Sequence, residues 1–154
     1  MASKAMEEIT MASEKDVVKD VVQVLHDGHK GFMDLAEHIK DSEVKAFFVK
    51  QAQTRGEFAR QLEVAAALPT DESGTAMGAV HRTWGDFKAK LGGGDHALLE
   101  TAEQGEDAAK EAYEKALKEK EVTGNVRETL LSQQREIQRS HDQVKAFRDA
   151  KKAA

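Results

Sequence analysis

At 154 residues the chain suits one domain with a real core. Hydrophobic residues at 40%, charged residues at 33% and a single proline describe a helical protein with an ion-paired surface. The net charge of −5 argues against a nucleic-acid binder, which usually shows a basic face, and zero cysteines exclude disulfides, thiolate ligands and a cysteine nucleophile. Lack of cysteine also leans toward the cytoplasm.

No apolar run approaches the roughly 20 residues that cross a bilayer, so no membrane partner is expected. Residues 1–12 lack the basic-then-apolar layout of a signal peptide and read as a flexible extension ahead of a bundle over 13–152. A first helix is expected from Glu14 to Lys40, with Ser13 as its N-cap. Its apolar stripe is Val18, Val21, Leu25, Phe32, Leu35 and Ile39. The alternating spacing of three and four is that of a bundle seam. Asp41-Ser42 breaks the chain, and a second helix from Ser42 to Leu68 follows with Val44, Phe48, Phe58 and Leu62. A tight break of this kind makes the two helices an antiparallel hairpin. Pro69 ends it.

The stretch from Thr70 to Asp95 is too long for a simple turn and is expected to travel the length of the bundle. It holds a short helical period, Thr75 to Leu91, with Met77, Val80, Trp84, Phe87 and Leu91 on one side. Gly92-Gly93-Gly94 stops that period, and Asp95 is the expected cap of the next helix. A third helix is expected from His96 to Lys120, and a fourth from Val126 to Lys151 after a turn at Thr123-Gly124-Asn125. Basic Lys145, Arg148, Lys151 and Lys152 complement the last helix's dipole. Hairpin, crossover, hairpin is the order of ferritin-like folds, so the fold class is an all-α antiparallel four-helix bundle.

Every helix interrupts its stripe with polar residues at mid-length. Gly28 and His29 fall there in the first helix, flanked by His26 and Asp27. Gln51 and Arg55 fall there in the second, Glu103, Gly105 and Glu106 in the third, and Gln133, Gln134 and His141 in the fourth. Burying such groups costs several kcal/mol unless they meet. One reading is a structural network of Asp27, Arg55, Glu103, Glu106 and His141, in which the five donors of Arg55 suit a glutamate. The other is a metal site built from Glu103, Glu106 and His141, with His26 or His29 contributing. Ferritin-like dimetal centres use a glutamate from each of two helices and Glu-x-x-His from each of the other two. The fourth helix has Gln138-Arg139-Ser140-His141 instead, and Arg55 brings a cation into the layer. The network is therefore favoured, with no cofactor expected and iron, manganese or zinc as the metals of the second reading. No serine or glycine-loop signature assigns a catalytic residue. Glycines 28, 31, 56 and 105 inside helices point to close helix–helix approach.

The stretches Asp27-Gly28-x-x-Gly31-Phe32, Arg55-x-x-Phe58-x-x-x-Leu62, Gly78-x-x-His81-Arg82-x-Trp84, Glu103-x-Gly105-Glu106-Asp107 with Tyr113, and His141-x-x-Val144-x-x-x-Arg148 carry a resemblance. Together they resemble a bacterial family of four-helix-bundle proteins classed as a domain of unknown function within the ferritin-like group. The resemblance spans residues 16–150. It implies the bundle and leaves the role open, with stress-associated and rubrerythrin-like proteins among the wider group's members. The expected function is a non-enzymatic bundle of bacterial stress physiology that self-associates or binds a protein partner. The alternative is a metal-binding protein with a degenerate dimetal site.

Overall fold

The computed structural model describes residues 13–69 and 94–153. They form four helices and, among the described residues, no strand: α1 (Glu14–His38), α2 (Ser42–Ala65), α3 (Gly94–Leu117) and α4 (Gly124–Ala153). The expected N-terminal extension and the crossover helix with Met77, Val80, His81, Arg82, Trp84 and Phe87 lie outside the described residues.

Local chemistry sets the helix ends. Ser13 Oγ accepts the N–H of Asp16 at 3.1 Å and starts α1. Asp41 Oδ1 accepts the N–H groups of Glu43 at 2.9 Å and Val44 at 3.1 Å and starts α2. α2 stops at Ala65, short of the expected Leu68, because Ala67 turns left-handed with φ 54°. The N–H of Leu68 then reaches the Glu63 carbonyl at 2.7 Å and the N–H of Ala67 the Val64 carbonyl at 3.2 Å. That pair of bonds is a Schellman termination built on alanine where glycine is usual. α3 likewise ends at Leu117 rather than Lys120. Arg127 from α4 donates to the exposed carbonyls there, Leu117 at 3.1 Å and Val122 at 3.4 Å.

Asp95 corrects another expectation. It lies inside the first turn of α3 and sends its carboxylate across the molecule, accepting the N–H of Lys40 at 2.8 Å and of Asp41 at 2.9 Å. The turn between α1 and α2 leaves those two donors without helical partners, so a carboxylate at this place satisfies both at once. Lys151 near the end of α4 donates to Asp41 Oδ2 at 2.6 Å. The end of α1 and the starts of α2 and α3 thus meet the end of α4. At the opposite end Glu14 Oε2 accepts the N–H of Thr123 at 3.1 Å.

These contacts fix the topology. α1 pairs with α2, α3 with α4, α1 with α3 and α2 with α4. All four pairings are antiparallel, so α2 and α3 run the same way and α2 ends at the opposite pole from the start of α3. The core splits into two apolar clusters. Val18, Leu25, Leu62, Tyr113, Leu130 and Ile137 belong to one. Phe32, Leu35, Phe48, Leu99 and Val144 belong to the other. Each such side chain contributes about 1.5–3 kcal/mol when fully buried. The polar tier falls between the clusters.

Glycine at position 67 removes the Cβ penalty of the left-handed turn, about 1–2 kcal/mol for an L-residue, less the added freedom of the unfolded chain. Ala67→Gly is expected to raise stability by up to about 1 kcal/mol, seen as a higher urea midpoint at unchanged m-value. The Lys151 hydrogen bond, followed by the N–H of Val44, holds the Asp41 carboxyl below its ordinary 3.8. A depressed carboxyl stabilises the fold above its unfolded pKa, and this support disappears as pH falls through the folded value. Removing the lysine with Lys151→Met should move the Asp41 titration upward in a carboxyl-detected NMR series.

Candidate functional site

The centre of the bundle is made by one seam position from each helix: Gly28, Arg55, Glu106 and Ser140. On α3 the positions Leu99, Ala102, Glu106, Ala109, Tyr113 and Ala116 are all buried at alternating spacings of three and four. Glu106 therefore points inward because the helical period places it there. Among the described residues Arg55 is the largest fully buried side chain, 1% exposed, and Glu106 is 0% exposed. Arg55 Nη2 donates to Glu106 Oε1 and to Ser140 Oγ, the latter at 3.3 Å. The guanidinium also lies over the Phe32 ring, 5.1 Å from its centroid. A cation on an aromatic face gains more where water is excluded. Gly28 lies against the arginine: a Cβ there would stand 3.5 Å from Arg55 Cγ and 3.6 Å from Nη1, in ordinary van der Waals contact.

Toward the pole where α2 ends and α4 starts sits a second tier. Tyr113 donates its hydroxyl to Gln133 Oε1 at 2.7 Å. Gln133 Nε2 donates to Gln61 Oε1 at 3.0 Å and to the Phe58 carbonyl at 3.2 Å. Burial pushes the Tyr113 phenol up, against the opposing effect of the Arg55 charge. The phenol is a neutral donor throughout the neutral range.

At the α3–α4 edge a different cluster forms. Glu103 and Asp107 are one helical turn apart on α3, and His141 faces them from α4. One ligating atom from each of the three falls within 4.8 Å of the others. His141 Nε2 is 2.9 Å from Asp107 Oδ1, and Nδ1 is 3.3 Å from Asp142 Oδ1. Hydrogen bonds from His141 and Gln138 hold the Asp142 carboxyl below its ordinary range. Arg148 Nη1 pairs with Glu103 Oε2, and the same guanidinium binds Asp149. Arg148 thus does more than complement a dipole.

The residues singled out in the sequence divide among these places. Arg55 and Glu106 share the centre. Glu103 and His141 share the edge cluster with Asp107, while Asp27 is buried on α1 beside Gly28. His29 Nδ1 donates to the Ala52 carbonyl at 2.7 Å, its ring lying against Gly56. His26 Nε2 stands 3.8 Å from Glu63. Ser140, Gln61, Glu63 and Asp107 are not among the network or metal candidates that the sequence pattern yields. Ser140 has a signal in the spacing of Val126, Leu130, Gln133, Ile137 and Val144, which skips His141 and lands one residue earlier.

A family model described as a domain of unknown function (DUF2383) matches residues 13–119. The matched span includes Arg55, Glu106, Glu103 and Asp107, whereas Ser140 and His141 on α4 lie beyond it. A search of the curated proteins returns no match.

A buried ion pair stripped of one partner leaves a charge in low dielectric, at a cost of about 3–5 kcal/mol. Arg55→Ala and Glu106→Ala are each expected to lose about that much, and the double variant Arg55→Met/Glu106→Leu to recover most of it. Urea unfolding of the two alanine singles and their double closes the cycle; strictly additive losses would contradict a direct pair.

Proposed function

Since the chain belongs to the DUF2383 family, whose description assigns no activity, we propose from the side chains that it is a non-catalytic helical scaffold that self-associates. The filled centre of the bundle supports this reading. Arg55, Glu106 and Phe32 occupy the space where a reactive interior site would lie, and a guanidinium there repels a metal ion. The working part of the molecule is then its surface.

The observation that carries self-association is Val64, which is 80% exposed on α2. It borders a groove of about 560 Å³ between α2 and α4, lined also by Glu57, Arg60, Ala65, Asn125 and Thr129. An exposed apolar side chain beside a groove gains from being covered by a second chain. Glu57 and Arg60 carry opposite charges on neighbouring turns, so a twofold pairing lets each meet its opposite in the other copy. The occupant we assign is a second copy of this chain.

No helix among the described residues is long and apolar enough to cross a membrane. We place the scaffold in the bacterial cytoplasm, in stress physiology, on the resemblance and on the absence of cysteine. Light scattering on the eluting peak from size exclusion should give a dimer that Val64→Glu converts to monomer without changing the helical circular dichroism. A wild-type chain that stays monomeric over the accessible concentration range would overturn the proposal.

A further inference from the structure

The cluster of Glu103, Asp107 and His141 is separate from the buried pair and from the Val64 groove. We propose that it binds one divalent first-row cation, zinc being the best fit, and that the ion staples α3 to α4.

The donor set is the basis. Two carboxylates one turn apart on α3 and an imidazole on α4 are the ligand types that zinc takes, with water in the fourth position. A tetrahedral ion with bonds of about 2.1 Å needs ligand atoms about 3.4 Å apart. The three ligating atoms already lie within 4.8 Å of one another, and Nε2 of His141 is 2.9 Å from Asp107 Oδ1. Asp107, paired with His141 and 62% exposed, has solvent beside it into which its side chain can adjust. His141 is 12% exposed and Glu103 17% exposed, so both are held.

The groups behind the ligands are arranged for the same purpose. Asp142 Oδ1 stands at 3.3 Å from His141 Nδ1, which directs Nε2 toward Asp107 and toward the ion. Carboxylate–histidine pairs of this kind orient the imidazole and raise its basicity at metal sites. Arg148 holds Glu103 Oε2 and leaves Oε1 for the metal. Its positive charge is offset by Asp149, bound to the same guanidinium at 2.9 Å. Glu103 and Asp107 then face the ion as two carboxylates, with Asp142 behind the imidazole. A dication relieves their mutual repulsion, an effect that one imidazolium supplies only in part.

The test uses the full chain stripped with chelator and dialysed, titrated with Zn²⁺ alone by calorimetry and by thermal melting. One ion per chain and a rise in Tm are expected. His141→Ala should weaken binding at least tenfold and abolish the Tm rise, and Asp142→Asn should weaken it by about tenfold through the ring's orientation. His96→Ala, at a remote surface histidine paired with Glu100, should leave both unchanged. Absence of saturable binding would overturn the proposal. So would binding that survives His141→Ala intact, or that His96→Ala lowers equally, since the ion would then sit adventitiously elsewhere. All of these positions are at the surface or the edge, and a helical spectrum matching wild type certifies each variant. The oligomer measurement stands or falls independently of this one.

Discussion

A charged pair is held inside the bundle where water cannot screen it, and the surrounding structure accommodates that constraint. Arg55 and Glu106 come from helices that are diagonal neighbours, α2 and α3, so their meeting spans the core rather than one helix interface. Gly28 packs beside the arginine, Phe32 offers its face and Ser140 accepts a hydrogen bond. Replacing such a pair with well-packed apolar side chains is often neutral or stabilising, so net stability is a weak reason for having it. Register is the best-attested use of such a pair. Sliding α2 or α3 by a turn would leave a buried charge facing hydrocarbon, and that penalty discriminates among arrangements that an all-leucine seam would tolerate.

The polar interactions at the two poles act on the same problem from outside. Asp95 satisfies two backbone donors of the α1–α2 turn, and Lys151 closes on Asp41 from α4. Glu14 and Arg127 do comparable work at the other end, each binding backbone groups outside its own helix. These contacts are partly exposed and individually modest. Together with the central pair and the Tyr113–Gln133 tier they define the axial position of every helix at more than one height.

Polarity inside and polarity at the edge have different chemical uses here. Arg55 Nη2 engages Glu106 Oε1 where both side chains are buried. The histidine and carboxylates between α3 and α4 stand at the rim, where a side chain can swing and an ion can arrive from solvent. One helix serves both: Glu106 points to the centre, and Glu103 and Asp107 point to the edge, because each step along an α-helix turns the side chain by about 100°.

The four helices of the described residues, the hairpin at Asp41-Ser42 and the existence of an inward polar level follow from the sequence alone, since period and turn chemistry are local properties. The placement of Arg55 and Glu106 on their seams follows in the same way from the three–four spacing. Partner choice does not. Whether Ser140 or His141 faces Arg55 depends on helix rotation, and a shift of one residue swaps inside for edge. Asp95 looks like a cap from its neighbours in sequence, yet its carboxylate serves Lys40 and Asp41, more than fifty residues away. Ala67 shows the same limit at short range: nothing in an alanine announces a left-handed turn, which the docking of Leu68 against the core imposes. Local spacing fixes which face of a helix is buried; only the antiparallel register, set by all four helices at once, decides what each buried group touches.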